Sequence, residues 1–505
     1  MTILMRLKNF LFQNKEIIIL LLAYALLYSF NLNKFPVING DENWFINPAY
    51  DLAMFGKMGT SMTYGSYNLA NFTYWQPPVF ILLMAASFKL FGFGIIQARM
   101  VSVGLGFLTV LFTYLLGLKL YNKKIGILAS LLLMLNPLFF MISRNARMEI
   151  AVACFMVIAL YCTFLALKES KLGYYFAAAF FATLAFLSHP NGVIAILSVF
   201  LIILAEKIDL KSLKMLKLNI SFSELFVLIA GVIIPLIPYA LYISLDFEAF
   251  KGQFMGNIAM SPSNPLNNIF AEPTRYVNLF WWLTQYNGIF LTFFVFLPVL
   301  ILTVMGFYYL VRGRKFSGKF LFIVLMVNIG VLAVLVNHKY FIYLGIIIPY
   351  LSILMALTLK NKIHLKMNKK GILSGFTIIL WLMLIMGNCI FLTSFLEKTE
   401  NYDYMEIEYE VQKYIPPGSV VVGDHNYWIA LHDEYRYYGR ENVNKTSEMM
   451  RDLKVQYLLF DNTWAIEDDY IETFINQSCT QVGEIPSNDT SGHGTIEVYK
   501  VKNSF

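Results

Sequence analysis

PPVFILLMAASFKLFGFG, residues 77–94, is the stretch whose reading decides the fold. It is apolar, but it carries two prolines and Lys89 and is shorter than the ~20 residues a helix needs to cross a bilayer. Its surroundings leave no doubt about the solvent. Of 505 residues, 58% are hydrophobic and 14% charged, whereas a soluble protein carries roughly a quarter charged residues. Mean hydropathy is +0.60. Long apolar runs recur from residue 16 to residue 395, which reads as a polytopic α-helical membrane protein. The runs are continuous instead of alternating, which argues against a β-barrel. The net charge of +7 is modest and gives no reason to expect nucleic acid.

Basic loops stay on the cytoplasmic side. Lys and Arg gather in six clusters: Arg6, Lys8, Lys15; Lys119, Lys123, Lys124; Lys168, Lys171; Lys207, Lys211, Lys214, Lys217; Arg312, Arg314, Lys315, Lys319; and Lys360, Lys362, Lys366, Lys369, Lys370. All six share one side only if residues 77–94 do not cross, so that segment is expected to be an interfacial or re-entrant helix. Eleven transmembrane helices are then expected, near 16–34, 99–119, 125–143, 147–167, 171–188, 190–206, 224–245, 286–311, 318–337, 340–359 and 372–395. The expected protein is a multi-pass one of the cell membrane, with a cytoplasmic N-terminus held by an uncleaved signal anchor. Residues 35–98, 143–149, 188–192, 246–285 and 337–340 face outward, as does everything after about 396.

The polar tail reads differently. YMEIEYEVQKYI has helical spacing, SVVVG, KVQYLLFD and TIEVYKV look like strands, and 466–476 has a helical pattern between them. Strands alternating with helices suggest a small α/β domain. Two domains are therefore expected: a transmembrane unit, 1–395, and an exoplasmic α/β unit, 396–505. The cysteines, Cys154, Cys162, Cys389 and Cys479, show neither a disulfide framework nor metal-ligand spacing. No cofactor is expected, with a divalent metal left open. Sequons at Asn71, Asn444, Asn476 and Asn488 are glycosylation candidates only in a host that makes N-glycans.

The outward loops collect GDENWF (40–45), SRNARME (143–149), SHPNG (188–192) and NHKY (337–340) at one face. The order is an Asp-Glu pair after the first span, a Pro-Pro helix ending FGFGIIQARMVSVGLG, a basic turn YNKKIG and a span ending NPLFFMISRNARME. In this order the chain resembles the group of GT-C membrane glycosyltransferases that contains the dolichyl-phosphate-mannose protein mannosyltransferases and the lipid A aminoarabinose transferases. The resemblance covers roughly residues 30–195 and returns in HKYFIYLGIIIP. It implies a polyprenyl-phosphate-sugar donor, an external active site and inversion at the anomeric carbon.

By the resemblance, Asp41 is the general base, Glu42 orients it or binds the acceptor, and Glu149 takes the second acidic position. Arg99, Arg144 and Arg147 match basic positions near the donor phosphate or the acidic pair, and His189 falls where relatives often carry Lys. Arg275 and Lys339 are further phosphate candidates. Tyr74, Trp75 and Tyr340 are candidates to line the substrate. The chemistry wants these types: a lipid phosphate is already a good leaving group, so one carboxylate to take the acceptor proton suffices. Arg or Lys can hold the phosphate as it departs. SRNARME spaces Arg144 and Arg147 three apart, so in a helical turn they share a face and Glu149 points elsewhere.

Each residue also has a plainer reading. The acidic pair can be a solvated turn or cap, and the arginines can snorkel to headgroups. Trp44, Trp75, Trp281 and Trp282 suit interfacial anchors, and Lys339 and Tyr340 admit both readings. A transporter or flippase of lipid-linked glycans is the rival function, but residues 99–395 hold almost no acidic residues away from span ends and no repeat. A structural scaffold is the third. Expected partners are a polyprenyl-phosphate sugar, membrane lipids, and an acceptor that is a protein, a lipid or a glycan.

Overall fold

Polar punctuation between the apolar runs starts and stops the helices. Asn122 caps Lys123–Leu135 by accepting from Ile125 N at 3.1 Å, and Asn136 caps Pro137–Ile142 by accepting from Phe139 N at 3.0 Å. Ser221 and Glu224 form a reciprocal capping box ahead of Phe222–Ile243. The computed structural model describes residues 15–38, 40–64, 66–209, 217–259, 264–313, 315–360, 370–398, 402–439, 450–461, 469–487 and 494–502. Arg6, Lys8, Lys211, Lys214, Arg314, Lys362, Lys366, Lys369 and the sequons at Asn444 and Asn488 lie outside these, as does most of the expected anchor's basic flank.

Among the described residues, seven helices are long and apolar enough to cross a membrane: Ile95–Leu120, Glu149–Glu169, Pro190–Lys207, Phe222–Ile243, Gly288–Gly313, Phe316–Val334 and Gly375–Ser394. The chain is thus a mostly helical, multi-pass membrane protein. Several expected spans take a different form. The 171–188 segment is a 15-residue helix, Leu172–Phe186. The 340–359 segment opens as a 3-10 turn, Phe341–Ile346, and becomes α-helical only at Ile348. The 125–143 segment breaks at Asn136-Pro137, because proline has no amide to continue the ladder. The 286–311 segment is the second part of Pro265–Gly313, which kinks where Gly288 adopts φ 70°. Val79–Phe91, the deciding stretch, is a 13-residue helix ended by Gly92 at φ 84°. At ~1.5 Å per residue it reaches roughly 20 Å, well short of the ~30 Å hydrocarbon core.

Glu149–Glu169 is the axis of the bundle. Seventeen of its residues, from Glu149 to Ala166, are buried, so its apolar residues run all round instead of on one stripe. Its first residue, Glu149, is itself buried.

Beyond Lys398 the chain forms a five-stranded sheet in the order Arg436–Gly439, Val420–Gly423, Tyr457–Asp461, Ile496–Val501, Cys479–Ile485. The first three strands are parallel and the last two join antiparallel. Helices Glu406–Gln412 and Asp469–Ser478 accompany it, so this is the small α/β unit expected. The two strands absent from the sequence reading are the two edges. An edge strand carries less of the apolar signature, and Cys479–Ile485 buries only its terminal residues.

This sheet unit is bonded to helix Gly40–Phe55. Asn43 donates through Nδ2 to Asn426 O at 3.2 Å and accepts at Oδ1 from Ile429 N at 3.3 Å. Trp44 lies 4.7 Å from the His425 ring, Gly439 N donates to Met62 O at 2.8 Å, and Tyr50 packs edge-on against Trp428 and His432. The expected sidedness can be measured with an impermeant maleimide in a background lacking native cysteines. Cysteine replacing exposed Glu248 or Asp433 should label in intact cells, and cysteine replacing Lys123 only after permeabilisation. Outside labelling at 123 would invert the loops and separate the clustered acids from the outer face.

Candidate active site

Asp41 and Glu42 occupy the first turn of helix Gly40–Phe55, where the helix dipole favours negative charge. Their environments are opposite. The Asp41 side chain is 62% exposed, whereas Glu42 is fully buried. Arg99 grips Glu42 with both arms, Nε to Oε1 at 3.0 Å and Nη2 to Oε2 at 2.7 Å, and Ala146 N donates to Oε1 at 2.9 Å. Arg99 spends Nη1 on Leu32 O at 2.9 Å. Both residues are therefore structural: Glu42 has no exposed oxygen to offer an acceptor, and Arg99 is not placed for a phosphate. What remains of the expected role of Glu42 is to orient its neighbour.

Arg144 also departs from expectation. It is fully buried and gives Nη1 to the carbonyls of Leu27 and Tyr28, Nη2 to Phe30, Asn31 and Phe35, and Nε to Phe35, at 2.7–3.2 Å. These carbonyls lie at the end of helix Lys15–Ser29 and in its exit turn, where Asn31 O also accepts from Lys34 N and Phe35 N. Arg144 is a C-terminal cap supplied from far along the chain, with no arm left for a lipid phosphate.

Arg147 is the centre of the site. Nη2 and Nε bind Glu149 at 2.8 and 3.2 Å, and Nη1 binds Asp41 Oδ2. Glu149 thus does not point away from the arginines but fixes Arg147, which in turn fixes Asp41. Oδ1 of Asp41 has no partner among the described residues. The Arg147 guanidinium lies 6.0 Å over the Phe45 ring, and Trp75 stacks on the other contact of Phe45 at 5.5 Å. Trp75 therefore borders the site. Tyr74 does not: it is buried, bonds Tyr242 O at 3.1 Å and packs against that ring.

His189 is buried against Glu149 and Arg147, and its Nδ1 accepts from Asn191 N at 3.0 Å. Burial pushes its pKa down to about 4, with Arg147 adding to the shift and Glu149 opposing it. At neutral pH the ring is uncharged with its proton on Nε2, so it is a hydrogen-bond donor and not a phosphate cation.

Arg275 and Lys339 form a separate knot. Arg275 pairs with Glu272 at 2.9 Å and donates to Tyr340 O and Leu332 O at 2.7 and 3.2 Å. Lys339 pairs with Glu272 at 2.9 Å and donates to the Leu332 and Ala333 carbonyls, each at 3.1 Å. Together they cap the end of helix Phe316–Val334. Tyr340 is 55% exposed beside them. Tyr343 joins the two clusters, 5.5 Å from the His189 ring and 5.8 Å from the Arg275 guanidinium.

Three polar residues escaped the sequence reading. Tyr343 lies one 3-10 turn after Tyr340, a spacing visible only once that segment is known to be helical. Asn191 Nδ2 and Gln76 Oε1 are buried without a hydrogen bond among the described residues, an unsatisfied state that costs ~1–3 kcal/mol unless a ligand or water completes it. Both stand beside prolines that read as helix breakers. No group of three His, Cys, Asp or Glu side chains able to hold a metal ion occurs among the described residues.

Residues 75–239 match the family model of the dolichyl-phosphate-mannose-protein mannosyltransferases. The match includes Arg99, Arg144, Arg147, Glu149 and His189, begins after Asp41, and runs further than the resemblance read from the sequence. That match covers residues 75–239 alone, and the likenesses to solved structures that follow show the fold. The crystal structure of ArnT from Cupriavidus metallidurans in the apo state is similar over 96% of this chain and 98% of its own, with TM-score 0.67 and 13% identity. The same enzyme bound to undecaprenyl phosphate gives TM-score 0.65 and 12% identity, over 96% and 97%. The Archaeoglobus fulgidus oligosaccharyltransferase in the apo form gives TM-score 0.55 and 16% identity, over 88% of this chain and 69% of that one. A curated relative from Aquifex aeolicus (strain VF5), itself named only as uncharacterized, is 26% identical over 148 residues. That alignment spans 29% of either chain.

Two outcomes test the geometry. Replacing Arg144 by Lys leaves at least three of its six carbonyl contacts unmade, at ~1 kcal/mol each. Arg144→Lys should therefore lower the unfolding midpoint in detergent clearly while leaving donor affinity per folded molecule unchanged. The second concerns pH. His189 has a folded pKa of about 4, below the ~6.5 of an unfolded histidine. Its contribution to stability is complete above pH ~6.5 and is lost as pH falls towards 4. His189→Asn keeps a side-chain acceptor for Asn191 N but cannot titrate, so its stability should fall less steeply across that window.

Proposed function

We propose that the protein transfers a sugar, with inversion, from a polyprenyl-phosphate donor to a hydroxyl of an acceptor at the outer face of the membrane. The observation that carries the reading is the Asp41–Arg147–Glu149 chain: one exposed carboxylate with a free oxygen, held by an arginine that a buried carboxylate anchors. An undecaprenyl phosphate bound to a structurally similar protein supports the donor class.

In the reaction, Asp41 Oδ1 takes the proton of the acceptor hydroxyl as its oxygen bonds to the anomeric carbon. The bond from that carbon to the phosphate oxygen breaks, and its electron pair leaves with the lipid phosphate. A single base and attack from the opposite face give inversion. Arg147 keeps Nε and Nη2 on Glu149, so only Nη1 faces the exposed side, where its acceptor is Asp41 or a phosphate oxygen. His189 Nε2–H and the Tyr343 hydroxyl are neutral donors beside it, suited to orienting the phosphate or the sugar without adding charge.

Asp41→Asn should lower transfer by ~10²–10⁴-fold with donor affinity retained, the usual cost of a missing general base. Glu42→Gln should act differently, on stability. Its partner Arg99 would be left buried with an incomplete counter-charge, a loss on the order of 3–5 kcal/mol when a buried pair is broken. The measurements are release of free lipid phosphate and the unfolding midpoint. Near-normal turnover in folded Asp41→Asn would reduce Asp41 to an ordinary exposed residue of a helix start.

A further inference from the structure

The loop between Met58 and Trp75 holds two consecutive non-glycine residues in the left-handed region, Tyr67 at φ 52° and Asn68 at φ 57°. A bulky residue there is strained by ~1–3 kcal/mol and persists only where its surroundings over-determine it. They do. Gln253 Nε2 donates to Tyr67 O at 3.0 Å and to Phe72 O at 2.8 Å. Asn68 Nδ2 donates to Asp246 Oδ2 at 2.7 Å, and Asn68 O accepts from both Asn71 N and Phe72 N at 3.0 Å. The strained turn does not bury the tyrosine it contorts. Tyr67 remains 61% exposed.

The ring instead lies across Gly252 of helix Phe247–Ala259. A Cβ at that position would meet Tyr67 Cδ1 at 2.2 Å, so only glycine lets the ring lie so close to the helix backbone. The ring borders an open cavity of about 600 Å³, lined also by Asn68, Asp246, Glu248, Lys251 and Met255, within the ~300–1,000 Å³ of ligand sites. An exposed flat ring beside two carboxylates, an amide and an ammonium suits one ligand chemistry. A pyranose presents an apolar face of C–H groups to the ring and a rim of hydroxyls that carboxylates accept from and Lys or Asn donate to.

Gln253 connects this cavity to the reaction centre. Its Oε1 accepts from Tyr74 N at 2.7 Å and Trp75 N at 3.0 Å. Trp75 then stacks on Phe45, over which Arg147 lies. We infer that the Tyr67–Gly252 cavity is a saccharide subsite, binding a sugar ring of the acceptor and setting its position relative to Asp41. The inference rests on the glycosyl-transfer reading, and binding to the cavity can be measured without any transfer.

The test is saturation-transfer NMR on the full chain in nanodiscs, probed with neutral hexose oligosaccharides and with uncharged non-sugar polyols as controls. Saturation should reach sugar ring protons but not the controls, be lost in Tyr67→Ala and persist in Tyr67→Phe. Gly252→Ala, which displaces the ring without removing it, should also abolish the signal. With an active acceptor, Tyr67→Ala should raise KM for the acceptor by ~10-fold, the worth of a modest ring contact, and leave kcat and donor affinity unchanged. No sugar signal in wild type, or the same signal in wild type and Tyr67→Ala, overturns the subsite. Loss of transfer in Asp41→Asn does not bear on it, and a subsite that fails leaves Asp41 chemistry standing.

Discussion

The Glu42–Arg99 pair is the constraint from which the acidic cluster is built. Both side chains are sealed from solvent; Arg99 Nη1 donates to Leu32 O, and Glu42 Oε1 also accepts from Ala146 N. A buried ion pair is worth little against apolar packing but is costly to break, so it acts as a register pin. It fixes the Gly40–Phe55 helix, the start of Ile95–Leu120 and the 143–148 turn to one another. Asp41 immediately precedes Glu42 on that helix, and Arg147 immediately follows Ala146 in the turn. Their meeting follows from the pin.

Arg144 reinforces the same junction by a different means. Its six carbonyl contacts close the end of helix Lys15–Ser29, a task that ordinary helices leave to glycine or water. Arg275 and Lys339 do likewise for helix Phe316–Val334. Near a bilayer, water is scarce at helix ends, and an unpaired carbonyl there costs several kcal/mol. Guanidinium forks answer this need well, because one planar group can serve several acceptors.

That need explains what was legible in the sequence and what was not. The apolar runs, the Pro-Pro start of Val79–Phe91 and the three inner strands of the sheet carry local signals, and each could be read in place. The acidic pair and SRNARME stood out because their residue types are unusual in so apolar a chain. Which arginine served which end was hidden. Arg144 and Arg147 differ by one helical turn in sequence, yet one faces carbonyls more than a hundred residues earlier and the other faces Asp41. Nothing in SRNARME encodes that choice. It is set by where helix Lys15–Ser29 ends in space. The edge strands and the 3-10 turn that presents Tyr343 were hidden for a related reason, since each takes its conformation from neighbours supplied by distant segments.

The sheet unit completes the argument about precision. A general base, the role proposed for Asp41, has to be held to within a fraction of an ångström of the hydroxyl it deprotonates, yet Asp41 is the exposed first-turn residue of a helix, where fraying is ordinary. Glu42 holds that turn through Arg99 and Ala146 N. Asn43, the next residue, is held by the backbone of Asn426 and Ile429, and Trp44 is covered by the His425 ring. Three consecutive residues after Asp41 are thus anchored to two different parts of the molecule, leaving the aspartate the one side chain of the turn free to face solvent. The C-terminal sheet thus contributes to the proposed site as the helices do, because its grip on Asn43 adds to the hold of Glu42 on the turn that carries Asp41.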